Sequence, residues 1–216
     1  MPPTPFRHRR NEILFYTLLV TLLLAPVVAR SELGAVTLQA ILGLNILLAL
    51  VRGAGRRFER TLLVIAGILI ALRITGGLLD IPRLEGFALT VLAGVALLAA
   101  ARTVRYAMEG ATVDSEHVFA ALSAYMLAGI FCGVMYWQMD QLAPGSIQAT
   151  SGLALPLQGA IYFSFMTLAT VGFGDIVPKS DLARGLVTLE AVAGQLYVAV
   201  MIARLLTLYS GRRSRA

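Results

Sequence analysis

Long apolar stretches separated by short polar connections organise the whole chain. Crossing a bilayer core takes roughly 20 apolar residues, with a range of about 17–25. Six stretches qualify: 13–29, 33–51, 61–79, 87–101, 117–139 and 181–209. The fourth is short and extends as helix through Arg102 and Arg105. The sixth is long enough to project into water at one end. A further stretch, 153–169, is interrupted by Pro156, Gln158, Gly159 and Ser164. It reads as a re-entrant segment buried in protein, because irregular backbone is not tolerated against lipid. Pro156 suits the first turn of a short helix over 157–169. The pattern predicts an all-α integral membrane protein with six transmembrane helices and a re-entrant helix between the fifth and sixth.

The basic residues orient these helices. Twelve lie on one face: Arg7, Arg9 and Arg10; Arg52, Arg56, Arg57 and Arg60; Arg102 and Arg105; Arg212, Arg213 and Arg215. Four lie on the other: Arg30, Arg83, Lys179 and Arg184. The alternation places both termini in the cytoplasm and supports six spans. A signal peptide is the alternative for the first stretch, since basic residues precede it and Val27-Val28-Ala29 ends it. Cleavage there would leave the later orientation unchanged; a retained span is the reading adopted.

Composition agrees. With 58% hydrophobic and 14% charged residues in a chain of 216, polar groups cannot cover a soluble surface. The single Cys132 excludes an internal disulfide and a multi-cysteine zinc site. The net charge of +6 sits in short clusters between spans rather than on one face, so nucleic acid is not an expected partner.

The chemistry concentrates in Thr170-Val171-Gly172-Phe173-Gly174-Asp175, after the short helix. A cation that sheds its water needs oxygen ligands, and backbone carbonyls can supply them if neighbours point the same way. An ordinary strand alternates their direction. Alternating the hand of successive residues aligns them, and glycine takes the left-handed positions without a Cβ clash. Gly172 and Gly174 have that spacing. Thr170 adds a hydroxyl, and the carbonyl end of the preceding helix favours a cation.

This segment resembles the selectivity filter of the potassium channel family, whose signature is T-V-G-Y-G-D or its phenylalanine variant. The stretch 160–169 resembles that family's pore helix, and the similarity covers roughly 117–209. The resemblance implies a homotetramer, since each chain brings one filter. It implies K+ coordination by the carbonyls of Thr170, Val171, Gly172 and Phe173 with the Thr170 hydroxyl, and Gly174 completing the filter. It also implies supporting roles for Asp175, Tyr162 and Thr167. Glu190, a buried charge in the outer half of the sixth span, is expected to sit behind the filter and support the pore helix, with Gln195 sharing that role. Asp175 is placed to accept a hydrogen bond from Tyr162. Gly194, 19 residues after Asp175, matches the family's inner-helix hinge; close packing is the alternative. Val198, Ile202 and Leu206 share its stripe and are candidates for an inner gate. Ala169 and Phe173 depart from the family pattern by lacking hydroxyls, and Tyr162 and Phe163 depart from it by standing where many members have paired tryptophans.

Five segments follow: a cytoplasmic N-terminus (1–12), a four-helix, voltage-sensor-like membrane domain (13–101), a cytoplasmic interfacial linker (102–116), a pore domain (117–209) and a basic tail (210–216). The voltage-sensor likeness is one of topology. The fourth span has no charge before Arg102 and Arg105, and the second offers only Asn45. Arg73, in the third span, is expected to pair with an acidic residue, touch a lipid headgroup or snorkel to the interface. Asp114 or Ser115 is placed to cap the fifth helix, Arg204 to snorkel, and Tyr136 and Trp137 suit an interfacial aromatic belt. No catalytic constellation, cofactor motif or nucleotide-binding motif is found. The expected protein is a potassium-selective channel of a bacterial inner membrane, not an enzyme, partnered by membrane lipid and three copies of itself, and not steeply voltage-gated. The alternative is a weakly selective monovalent cation channel of the same architecture. A potassium uptake subunit of four linked pore units is too long for this chain.

Overall fold

The computed structural model describes residues 10–28 and 115–213, with isolated helical positions between 41 and 105. Most of the second, third and fourth apolar stretches, with Arg73 and Asp114, therefore lies outside the described residues, as do most of the expected voltage-sensor-like domain and linker.

Four helices and one small ribbon make up the continuous segments: α1 (Arg10–Val28), α2 (Ser115–Leu142), β1 (Ile147–Ala149), α3 (Leu157–Leu168), β2 (Ile176–Pro178) and α4 (Asp181–Arg213). The helices α1, α2 and α4 cover the first, fifth and sixth apolar stretches. Two of them, α2 and the 181–204 part of α4, are long and apolar enough to cross a membrane. The stretch 153–169, expected to be re-entrant, contains the 12-residue α3. Pro156 sits one position before its first turn, as N-cap with φ −73° and ψ 157°. Its carbonyl accepts the Ala160 N–H at 3.0 Å.

The ribbon adds strand to the helical expectation. β1 and β2 pair antiparallel with Ile147 opposite Pro178, Gln148 opposite Val177 and Ala149 opposite Ile176. Three-residue strands are too short to leave an alternation in sequence.

α2 is the central element. One side packs on α1, where Leu14 and Leu18 are buried in the same cluster as Leu127, Ile130 and Val134 of α2, Leu157 and Ile161 of α3, and Val95. The Asn11 N–H donates to Glu116 Oε2 at 3.1 Å, so α1 and α2 begin side by side. A carboxylate there meets unsatisfied amides at the positive end of the α1 dipole. Asn45 of the second stretch is buried and donates to Thr21 Oγ1 at 2.9 Å. The other side of α2 receives α3 over two glycines one helical turn apart. A Cβ on Gly133 would lie 2.5 Å from Ile161 Cα, and one on Gly129 would lie 2.8 Å from the Phe165 ring. Small residues four apart let two backbones approach this closely.

Candidate ion-coordinating site

The segment after α3 carries the backbone alternation that carbonyl alignment requires. Thr170 has φ +57°, Gly172 +54° and Gly174 +78°, whereas Val171 and Phe173 between them stay outside the left-handed region. The two glycines stand where the sequence places them. Thr170 is the addition: it is the sole non-glycine residue with positive φ among the described residues. Such a backbone in a β-branched residue is held by its surroundings at a cost of about 1–3 kcal/mol.

Those surroundings are the end of α3. The Thr170 N–H donates to the Thr167 carbonyl at 2.9 Å. The Val171 and Gly172 N–H groups both reach the Met166 carbonyl, at 2.9 and 3.3 Å. The amides of the segment are thus drawn back onto the helix. Among the described residues no hydrogen bond uses the carbonyls of Thr170, Val171, Gly172 or Phe173. The Thr170 hydroxyl donates to the Ala169 carbonyl at 2.7 Å, which leaves its lone pairs available. The segment is exposed on the single chain, with Phe173 at 70%.

Glu190 of α4 lies behind α3 and is 5% exposed. Its Oε2 accepts from the Tyr136 hydroxyl of α2 at 2.5 Å. Its Oε1 lies 2.5 Å from the Ser164 hydroxyl of α3, which is also 2.8 Å from the Gly129 carbonyl. The Cys132 thiol reaches the same carboxylate. One carboxylate therefore joins three helices. Tyr136 is buried at 0% exposure and packs against Phe163 with ring centroids 5.4 Å apart. This corrects its expected place in an interfacial belt: the buried carboxylate requires a donor, and Tyr136 supplies it.

The other expected site residues separate. The Tyr162 side chain lies near the Asp175 carboxylate. The Thr167 hydroxyl bonds back to Phe163 of its own helix at 2.9 Å, so Thr167 meets the 170–174 segment through its backbone carbonyl. Gly194 packs on the end of α3, where a Cβ would lie 2.8 Å from Leu168 Cδ2 and 3.2 Å from the Leu168 carbonyl. Gln195 donates to that carbonyl at 3.4 Å. Val198 and Ile202 are exposed on the single chain; the side chain of Leu206 lies outside the described residues. Lower on α4, the Tyr197 hydroxyl donates to the Ala121 carbonyl of α2 at 2.6 Å. The sequence reading missed the Gly129/Gly133 pair, although its spacing of four in an apolar helix is a legible signal. It also missed Tyr136 and Ser164, whose partner is remote in sequence.

Residues 123–210 match the ion channel family. The inward rectifier potassium channel Kirbac3.1 of Paramagnetospirillum magnetotacticum is 37% identical over 76 residues, 35% of this chain and 21% of the relative. Two-pore potassium channel 1 of Arabidopsis thaliana is 33% identical over 89 residues, 41% of this chain and 22% of the relative. Two pore potassium channel c of Oryza sativa subsp. japonica is 34% identical over 68 residues, 32% and 13% respectively. The chain thus spans at most 22% of the length of these relatives. No solved structure gives a significant match.

Proposed function

We infer that this protein, whose pore segment belongs to the ion channel family and is similar to potassium channels, conducts K+ passively across a membrane through a filter formed by residues 170–174 of four identical chains. The observation that carries the reading is the alternation of backbone hand at Thr170, Gly172 and Gly174. It comes with four successive carbonyls left without hydrogen-bond donors among the described residues. Carbonyls so placed replace a permeant ion's hydration shell. Four copies complete the ring because one chain supplies one strand of filter. The apolar face of α4 supports this: Leu189 and Leu196 are 65% and 60% exposed on the single chain.

Six spans with both termini cytoplasmic complete the architecture, in a cell membrane of bacterial type. The parallel start of α1 and α2 supports an odd number of spans between them, and the burial of Leu14 and Leu18 supports α1 as a retained part of the fold. Glu190, Tyr162 and Asp175 support the filter. Gly194, Val198, Ile202 and Leu206 form the inner-helix stripe that hinges and gates. No cofactor is needed, because K+ is the transported species.

Bi-ionic reversal potentials in planar bilayers test the reading. Strong preference for potassium over sodium supports it. The second reading, a weakly selective monovalent cation channel, rests on Phe173, which has no hydroxyl and is 70% exposed. A reversal potential near zero under K+/Na+ conditions would favour that reading. No cation current in either solution would reject both.

A further inference from the structure

The outer end of the filter segment is held by a residue from neither the filter nor α3. Thr150 follows β1, and the strand register places it opposite Asp175. Its N–H donates to the Asp175 carbonyl at 2.7 Å. Its hydroxyl lies 2.9 Å from the same oxygen and 3.5 Å from the Gly174 carbonyl oxygen. The ribbon is itself anchored. Asp140, at the end of α2 and 7% exposed, accepts the N–H groups of Gly145 and Ile147 on Oδ1 at 3.0 and 3.3 Å. The Ser146 carbonyl accepts the Lys179 N–H at 2.8 Å, tying the far end of β2.

Asp175 is thereby held through its carbonyl by Thr150, and the Tyr162 side chain of α3 lies near its carboxylate. The grip matters because Gly174 is otherwise unconfined: at φ +78°, a Cβ built on it would meet nothing within 4 Å. Within one chain no side-chain contact confines Gly174, so hydrogen bonds at its neighbours orient this peptide.

We propose that Thr150 is a positioning residue for conduction, whose hydroxyl fixes the outermost filter peptides and sets how long the filter stays conductive during sustained flow. The proposal rests on the reading of 170–174 as the filter. The backbone N–H bond survives any ordinary substitution, so the hydroxyl is the part that can be tested. Thr150→Val removes it at nearly constant shape, Thr150→Ala removes it with less bulk, and Thr150→Ser keeps it. Thr150 is exposed, so the substitutions leave the core intact.

The experiment records potassium current of the reconstituted full chain in planar bilayers. Thr150→Val and Thr150→Ala should shorten the conductive period about fivefold, the scale set by one net hydrogen bond. Raised external K+ should lengthen that period again by occupying the loosened site. Thr150→Ser should restore the original period. Unchanged periods in both hydroxyl-free variants would overturn the proposal while leaving the channel reading intact, and so would a Thr150→Ser variant as short-lived as Thr150→Val. Absence of potassium current from the unaltered protein would instead remove the channel reading, and this proposal with it.

Discussion

The Tyr136 hydroxyl on α2 donates to Oε2 of Glu190 on α4 at 2.5 Å, across the back of the helix that precedes the filter. The two residues are 54 positions apart in sequence. Their bond closes a three-helix arrangement in which Ser164 of α3 meets the other carboxylate oxygen. A buried carboxylate that loses a partner leaves an unsatisfied group, costing about 1–3 kcal/mol. Tyr136→Phe should therefore lower the midpoint of thermal dissociation of the detergent-solubilised protein. A double-mutant cycle with Glu190→Gln should show coupling of about 0.5–3 kcal/mol. Strict additivity would mean that the bond contributes nothing to assembly.

The two glycines of α2 are predicted to differ. Gly133→Ala would place its Cβ 2.5 Å from the Ile161 backbone, which yields only if α3 shifts. Gly129→Ala meets the Phe165 ring at 2.8 Å, and a side chain can turn away. Overpacking a close contact costs about 1–3 kcal/mol. Gly133→Ala should fall at the upper end and reduce the yield of assembled protein in gel filtration, and Gly129→Ala should lie nearer the lower end. The reverse order would contradict the backbone contact.

Tyr162→Phe removes the hydroxyl of a side chain that lies near Asp175 and leaves α3 otherwise unchanged. Its effect should appear in the rate of current decay more than in the K+/Na+ reversal potential. Asp175→Asn should be non-additive with it on that rate. A selectivity change without a kinetic one would place Tyr162 in a different role.

Opening should depend only weakly on voltage. One charge crossing the full field is worth about 2.3 kcal/mol per 100 mV, and steep gating moves about 3–4 charges per subunit. On the proposed six-span topology, the fourth apolar stretch carries Arg102 and Arg105 only at one end, and Asn45 of the second is no acidic partner. Each arginine costs about 2.5–3.5 kcal/mol at a helix centre, more than about 100 mV returns per charge. A shallow conductance–voltage relation across a wide range is expected. A gating charge like that of steeply voltage-gated channels would show that the first four spans sense voltage through other residues.

Helices α1, α2 and α4 were legible because their apolar runs are long, and α3 because Pro156 marks its start. The left-handed backbone of the 170–174 segment was legible at Gly172 and Gly174 because glycine relieves a steric cost that other residues bear. Thr170 gave no such sign: its left-handed backbone is enforced by hydrogen bonds to the end of α3, and threonine is not a residue that chooses it. Tyr136 was misread for a related reason. An aromatic residue near the end of a span looks the same in sequence whether it meets lipid or a buried carboxylate. Glu190 itself was legible, because an acid within an apolar helix requires partners. Thr150 was hidden because three-residue strands leave no periodicity.

The most direct test of the filter is Gly172→Ala, assayed as potassium flux from liposomes alongside a measure of membrane insertion and assembly. Gly172 has φ +54°, and a Cβ there would meet nothing within 4 Å. The substitution therefore disturbs the hand of the backbone and little else, at about 1–2 kcal/mol per chain. The filter account predicts that the variant inserts and assembles like the unaltered protein while its selective potassium flux collapses; undiminished selective flux in that variant would contradict it.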